Sequence, residues 1–279
     1  MNIMKKITLL LVVVAISNGI LHCTDFATPI SPGKPERERN IGLWLDFGQN
    51  VQDGTSYVDC ENCNFQNGTG FGYTIGVSYE EQLSKEKGAI GKNVYFGAML
   101  LLSNRDIEAS YRTRESAYFP DYAITIPLDY REISTMSIMS IGLMPYAKYT
   151  FWNILSLQLG LDASYVVSNN LVNTLELLDR RVTLSNGEVV DVYIPSGPKD
   201  RHTYSVVKQD SEIKDIQNLQ VSLVPAIEFN IHIANRWTLS PNFMYFIPLG
   251  DMSTTKDGFS VSAWRAGITL YYNLVINAK

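Results

Sequence analysis

Beyond its first sixteen residues this 279-residue chain has no apolar run near the ~20 residues that a transmembrane helix requires, which excludes a helical membrane protein. Charge is sparse at 18% of residues, against 46% hydrophobic, and the mean hydropathy of −0.03 is that of a water-soluble composition. Cysteine occurs only as Cys23, Cys60 and Cys63, and histidine only as His22, His202 and His232. No second cysteine pair exists to complete a four-ligand metal centre, so neither a metal nor a cofactor is expected. Basic clusters long enough to follow a nucleic-acid backbone are also missing; the net charge is −5 and the pI about 5.3.

What the chain does have begins at its first residues. Met1 to Lys6 are basic, Ile7 to Ile16 apolar, and "AISNG" supplies small residues, so residues 1–19 read as a secretory signal cut after Ser17 or Gly19. A single membrane anchor is the alternative, with an apolar core that is short for a span. Cys23 raises lipidation as a further alternative, although His22 before it is not small. Residues 20–39, rich in proline and alternating charge, form a linker.

From residue 40 a period of two takes over. "IGLWLDFGQ" sets Ile41, Leu43, Leu45 and Phe47 on one face and Gly42, Trp44, Asp46 and Gly48 on the other. "GFGYTIGVSYE" and "NILSLQLGLDASYVVS" repeat the pattern, as do "LQVSLVPAIEFNIHI", "WTLSPNFMYFI" and "WRAGITLYYNL". Residues 93–103 and 134–149 follow it less cleanly, for eight strands in all. The connections at 49–69, 104–133 and 169–217 are long, whereas "TFWN" and "ANR" are tight. Short turns at one end and long loops at the other are the layout of an outer-membrane barrel.

Two observations orient the faces. The apolar face carries Tyr79, Tyr149, Trp237 and Tyr272 near the short turns, and Phe71, Tyr165, Tyr245 and Trp264 near the long loops. Such aromatic belts match the two interfaces of a bilayer, so this face is expected to meet lipid. The opposite face carries Asp46, Glu80, Lys148, Asp162, Glu228 and Arg265 among many small residues, and would line a lumen. Backbone groups in hydrocarbon must be paired, so the sheet has to close. The expectation is an all-β, closed antiparallel eight-stranded transmembrane β-barrel over residues 40–275, with 276–279 as a tail. Asn186-Gly187 marks a hairpin within "RRVTLSNGEVVDVYI"; it is expected above the barrel, and ten strands is the alternative if it joins the wall. Pro145, Pro225 and Pro241 should each disturb their ladders.

The pattern resembles the eight-stranded bacterial outer-membrane β-barrel family, the OmpA-type transmembrane barrel without its peptidoglycan-binding domain. In "RAGITLYY", Arg265, Gly267, Leu270 and Tyr272 are similar to the terminal-strand signal read by the barrel assembly machinery. The resemblance implies a Gram-negative outer-membrane location, contact with outer-membrane lipid and with that machinery, and no cofactor.

The remaining motifs carry little chemistry. Cys60 and Cys63 in "CENC" allow a local disulfide, free thiols or half a metal site, and the missing second pair favours the disulfide. His202 with Asp200 and Ser205 lies in the longest loop, without a scaffold to hold hydrogen-bond geometry, so no catalytic residue is expected. Eight strands leave an interior just wide enough for side chains. The expected function is that of a monomeric envelope structural protein or surface binding scaffold, with Asp46 paired to Arg265 and Lys148 shared by Glu80 and Glu228. Loops 104–133 and 169–217 are the candidates for an extracellular ligand or protein. A small-solute channel is the alternative; a barrel enzyme ranks third.

Overall fold

Backbone groups find their partners here by sheet closure. The computed structural model describes residues 37–54, 65–84, 93–119, 124–184, 187–195, 202–213, 215–253 and 258–274. The long strands are β1 (Arg39–Asp53), β2 (Thr69–Gln82), β3 (Val94–Phe119), β4 (Ile124–Phe151) and β5 (Leu155–Leu177). Short ones follow: β6 (Arg181–Thr183), β7 (Val189–Asp191), β8 (Ile194–Pro195), β9 (His202–Thr203) and β10 (Ser205–Ser211). The chain ends with β11 (Leu219–Phe229), β12 (Ile231–Ala234), β13 (Trp237–Pro248) and β14 (Ser260–Asn273). β1, β2, β3, β4, β5, β11, β13 and β14 form an antiparallel ring that closes where β14 pairs with β1, Leu43 opposite Leu270. The all-β fold with eight strands is as expected. The hairpin of β6 and β7 forms its own two-stranded sheet, with Gly187 at φ 86° in its turn, so the ten-stranded alternative fails.

The tight turn between β4 and β5 has Trp152 and Asn153 at φ 49° and 59°. Phe151 accepts from the Ile154 N–H at 3.0 Å, and a left-handed pair of this kind matches the twist of the flanking strands.

Three strands run far beyond their expected ends, which corrects the reading of 104–133 as a loop and much of 169–217 as well. β3 and β4 pair without interruption from Val94–Tyr149 to Phe119–Ile124, and β5 follows β4 up to Tyr130–Leu177. The reason is an inversion of polarity along single strands. Near the middle of β3, Leu100 points out and is exposed, while Ser103 and Arg105 point in. A few residues on, the outward positions are Asp106 and Glu108 and the inward ones Ile107 and Ala109. β4 does the same, from outward Ile141 and Leu143 to outward Arg131 and Asp129 over inward Ile138 and Met136. β5 changes from outward Tyr165 to outward Asn170 and Glu176 over inward Leu171. A bulge at Val167 adjusts the register there. Charged outward residues give 104–133 a loop-like composition, yet they pair across the sheet: Arg114 with Asp129 at 3.3 Å and Arg131 with Glu176 at 3.4 Å.

β10 adds to β5 beyond the ring, making a four-stranded sheet of β3, β4, β5 and β10. Its inner face packs two apolar cores. One joins Phe65, Ile107, Met136, Ile138, Met252 and Phe259 at the mouth of the ring; the other joins Leu128, Leu177 and Val192 farther out.

The prolines disturb their ladders on one side only. Pro145 stays in register with Ala98, but no pair is formed with β5 between Leu143 and Tyr146. Pro225 pairs with Leu159, and the gap falls on the β13 side. Pro241 keeps its register with Ile268 on β14. The sixth expected strand is split at Asn230 into β11 and β12.

Candidate functional site: a filled lumen

Inward positions of the ring carry the six charged residues expected there, each at most 4% exposed. They separate into two groups. Near the short turns, Lys148 Nζ lies 2.5 Å from Glu80 and 3.6 Å from Glu228, and 4.3 Å from the centre of the Tyr271 ring. Tyr146 donates to Glu80 at 3.1 Å, Asn40 donates to Glu80 at 2.9 Å, and Tyr271 donates to Glu228 at 3.2 Å. One cation thus holds two carboxylates, whose remaining lone pairs accept from neutral donors, as burial of charge demands.

The second group lies toward the long-loop end and departs from expectation. Arg265 and Asp46 form no ion pair. Register puts Arg265 opposite Gly48 and Asp46 opposite Gly267, and the guanidinium points to the mouth. There it donates to Asn50 Oδ1 at 2.6 Å, to the Asn104 carbonyl at 3.1 Å and to the Trp264 carbonyl at 2.9 Å. Asp162 pairs with Arg105 at 3.8 Å and accepts from Ser164 at 2.6 Å. Arg105 also donates to Gln220 at 3.1 Å and lies over the Phe246 ring. The sequence reading missed Arg105 because it fell one residue inside the supposed loop 104–133; its inward parity with Met99 and Leu101 was the available signal.

Along β3 and β11, apolar residues lie between the two charged groups. Met99, Leu101, Met144, Val224, Met244 and Phe246 form one buried cluster with Trp44, whose indole donates to Ser78 at 2.8 Å. Inward glycines make the room. A Cβ on Gly42 would meet the Tyr271 ring at 2.8 Å, one on Gly97 the Tyr146 ring at 2.6 Å, and one on Gly72 the Arg265 guanidinium at 2.4 Å. These three large inward side chains sit over notches in an adjacent strand or the next but one, a small-against-large match that suits narrow barrels. Above them lies the buried apolar core around Phe65, Met252 and Phe259.

Of the residues expected to form an assembly signal, Gly267 lies in the wall against Asp46, while Leu270 and Tyr272 are half-buried on the outer face. His232 is exposed on β12. His202 falls in β9, pairing Pro195. Asp200, Cys60, Cys63, residues 1–36 and the tail 275–279 lie outside the described residues. No group of three or more metal-binding side chains occurs among the described residues.

No family model matches the chain, and no curated protein sequence matches it. Among solved structures it is similar to Neisserial surface protein A, at 9% identity and a TM-score of 0.34, covering 84% of this chain and 96% of that one. It is also similar to Ail, the attachment invasion locus protein of Yersinia pestis, at 12% identity and a TM-score of 0.31, with 85% and 99% covered. For the outer membrane protease OmpT from Escherichia coli the values are 10%, 0.32, 89% and 100%. These likenesses concern strand architecture alone, and the closed ring rests on its own hydrogen-bond register.

Proposed function

We propose that the protein is an outer-membrane barrel with a filled lumen, a non-enzymatic envelope scaffold that carries a rigid sheet outside the membrane. One observation carries the reading: on β3, β4 and β5 the outward face changes from apolar to charged where the inward face changes from polar to apolar. A wall crossing from lipid into water has this pattern, because the low-dielectric side changes from outside to inside at the boundary. Outward aromatics flank the apolar band, with Phe47 stacked near Phe71 at one end and Trp237 against Tyr272 at the other.

The charged groups, the apolar cluster between them and the apolar mouth all speak against a solute path, so the scaffold reading stands above the channel reading. Partner contact belongs on the four-stranded sheet of β3, β4, β5 and β10, a preformed surface that loses little entropy on binding. The purified chain should migrate differently before and after boiling in a detergent gel, and should give no steady conductance in planar bilayers. Equal migration with release by carbonate overturns the membrane assignment; sustained single-channel steps move the protein to the channel class.

A further inference from the structure

Three arginines gather with the carboxylates Glu38 and Glu81 at the short-turn end. Arg236, in the turn between β12 and β13, donates from Nη1 to the Tyr272 hydroxyl at 2.7 Å, and its guanidinium lies 5.8 Å from the centre of that ring. Among the described residues no carboxylate comes within ion-pair distance of it. The Trp237 ring packs 4.8 Å from that of Tyr272. At the start of the next strand but one, Arg37 and Arg39 both pair with Glu81, at 3.8 and 3.7 Å, and both arginines are about half exposed. Register brings these groups together, since Tyr272 lies opposite both Trp237 and Ile41. Two strand spacings put Arg236 and Arg39 on backbones roughly 10 Å apart. The rim at β4 and β5 has the aromatics Phe151 and Trp152 but no arginine, so among the described residues of this rim the sector from β13 to β1 is the one that combines both kinds of group.

Resting on the membrane-spanning reading, we infer that this sector binds the phosphate of an acidic phospholipid, with Arg236 as the principal contact and Arg39 as the second. A guanidinium offers a planar fork of donors that suits phosphate oxygens, and it sheds water more readily than an ammonium. Tyr272 holds the Arg236 fork by accepting one of its hydrogens. Its own hydroxyl hydrogen remains available to the same phosphate. Trp237, Ile41 and Leu270 continue the surface on the apolar side, where the acyl chains would lie. Glu81 and the neighbouring Glu38, which accepts from Tyr95, offset two of the three cations and leave Arg236 without an acidic partner among the described residues, so a zwitterionic headgroup satisfies the sector less well than an anionic one.

The test uses the full chain purified in a neutral detergent and titrated separately with phosphatidylglycerol and phosphatidylcholine, with bound lipids counted by native mass spectrometry. The parent should retain phosphatidylglycerol in preference, and Arg236→Gln should cut that preference about five-fold, as expected for one cation at a charged lipid surface. Arg131→Gln, on the distant sheet, should leave it unchanged. Equal retention of the two lipids by the parent overturns the inference, and so does a preference that survives Arg236→Gln. Release of the bound lipid by inorganic phosphate also overturns it, by making the sector a site for the free anion. The heat-dependent gel shift is read on the same samples, and its persistence separates failure of lipid binding from failure of the barrel reading.

Discussion

Replacement of Lys148 by methionine is expected to cost about 3–5 kcal/mol of unfolding free energy, the typical penalty for stranding buried charges without their partner. Lys148 is the cation within reach of both Glu80 and Glu228, and neither carboxylate is more than 1% exposed. Methionine keeps most of the volume and removes the charge, so the effect reads electrostatics rather than a cavity. Urea unfolding of protein refolded into lipid vesicles, followed by the heat-dependent gel shift, measures it. Conversion of both acids as well, in the triple variant Lys148→Met, Glu80→Gln, Glu228→Gln, should recover much of the loss, because neutral amides still accept from Tyr146 and Tyr271. An unchanged midpoint in the single variant would show that water reaches this end of the lumen and that the plug is loose.

The second large effect is expected at Gly267. A Cβ there would stand 2.1 Å from the Leu45 carbonyl and 2.3 Å from Asp46 Oδ1, so alanine must push the seam between β14 and β1 apart. Overpacking against backbone costs about 3 kcal/mol, and here it falls on the pair of strands that closes the barrel. Gly267→Ala should therefore refold poorly into vesicles from urea, with no assembly machinery present. Gly250→Ala, where an added Cβ meets nothing within 4 Å, should refold like the parent. The comparison separates two roles for the "RAGITLYY" segment. Poor refolding in the purified system assigns Gly267 to packing of the seam, whereas normal refolding with failed assembly in cells assigns it to recognition.

How much was legible beforehand depends on what each residue answers to. Parity along a strand is a local property, so it puts Asp46, Glu80, Lys148, Asp162, Glu228 and Arg265 on one face, where each is at most 4% exposed, and depth counted from the turns puts Lys148 at the level of its two acids. It also identified the tight turn at Trp152 and Asn153 and kept the Asn186-Gly187 ribbon out of the wall. Partner choice is not local. Arg265 and Asp46 sit on adjacent strands, yet a two-residue offset in register turns the guanidinium to Asn50 and the Asn104 carbonyl instead. Arg105 escaped because composition changes at its level while the backbone does not.

The sequence by itself determined the period of two, the number of wall strands and the inward parity of the six lumen charges, since these follow from pleat geometry and from the need to pair every backbone group. Tertiary structure alone decided where β3, β4 and β5 end, which acid meets which base, and how the inward side chains fit together. Strand ends depend on whether lipid, water or another loop covers each face, and the same charged residue suits a loop or a solvated strand equally well. The filling depends on side chains brought together from strands far apart in sequence, as when Gly42 on β1 leaves room for Tyr271 on β14. No local pattern encodes that fit, because it exists only once the ring has closed.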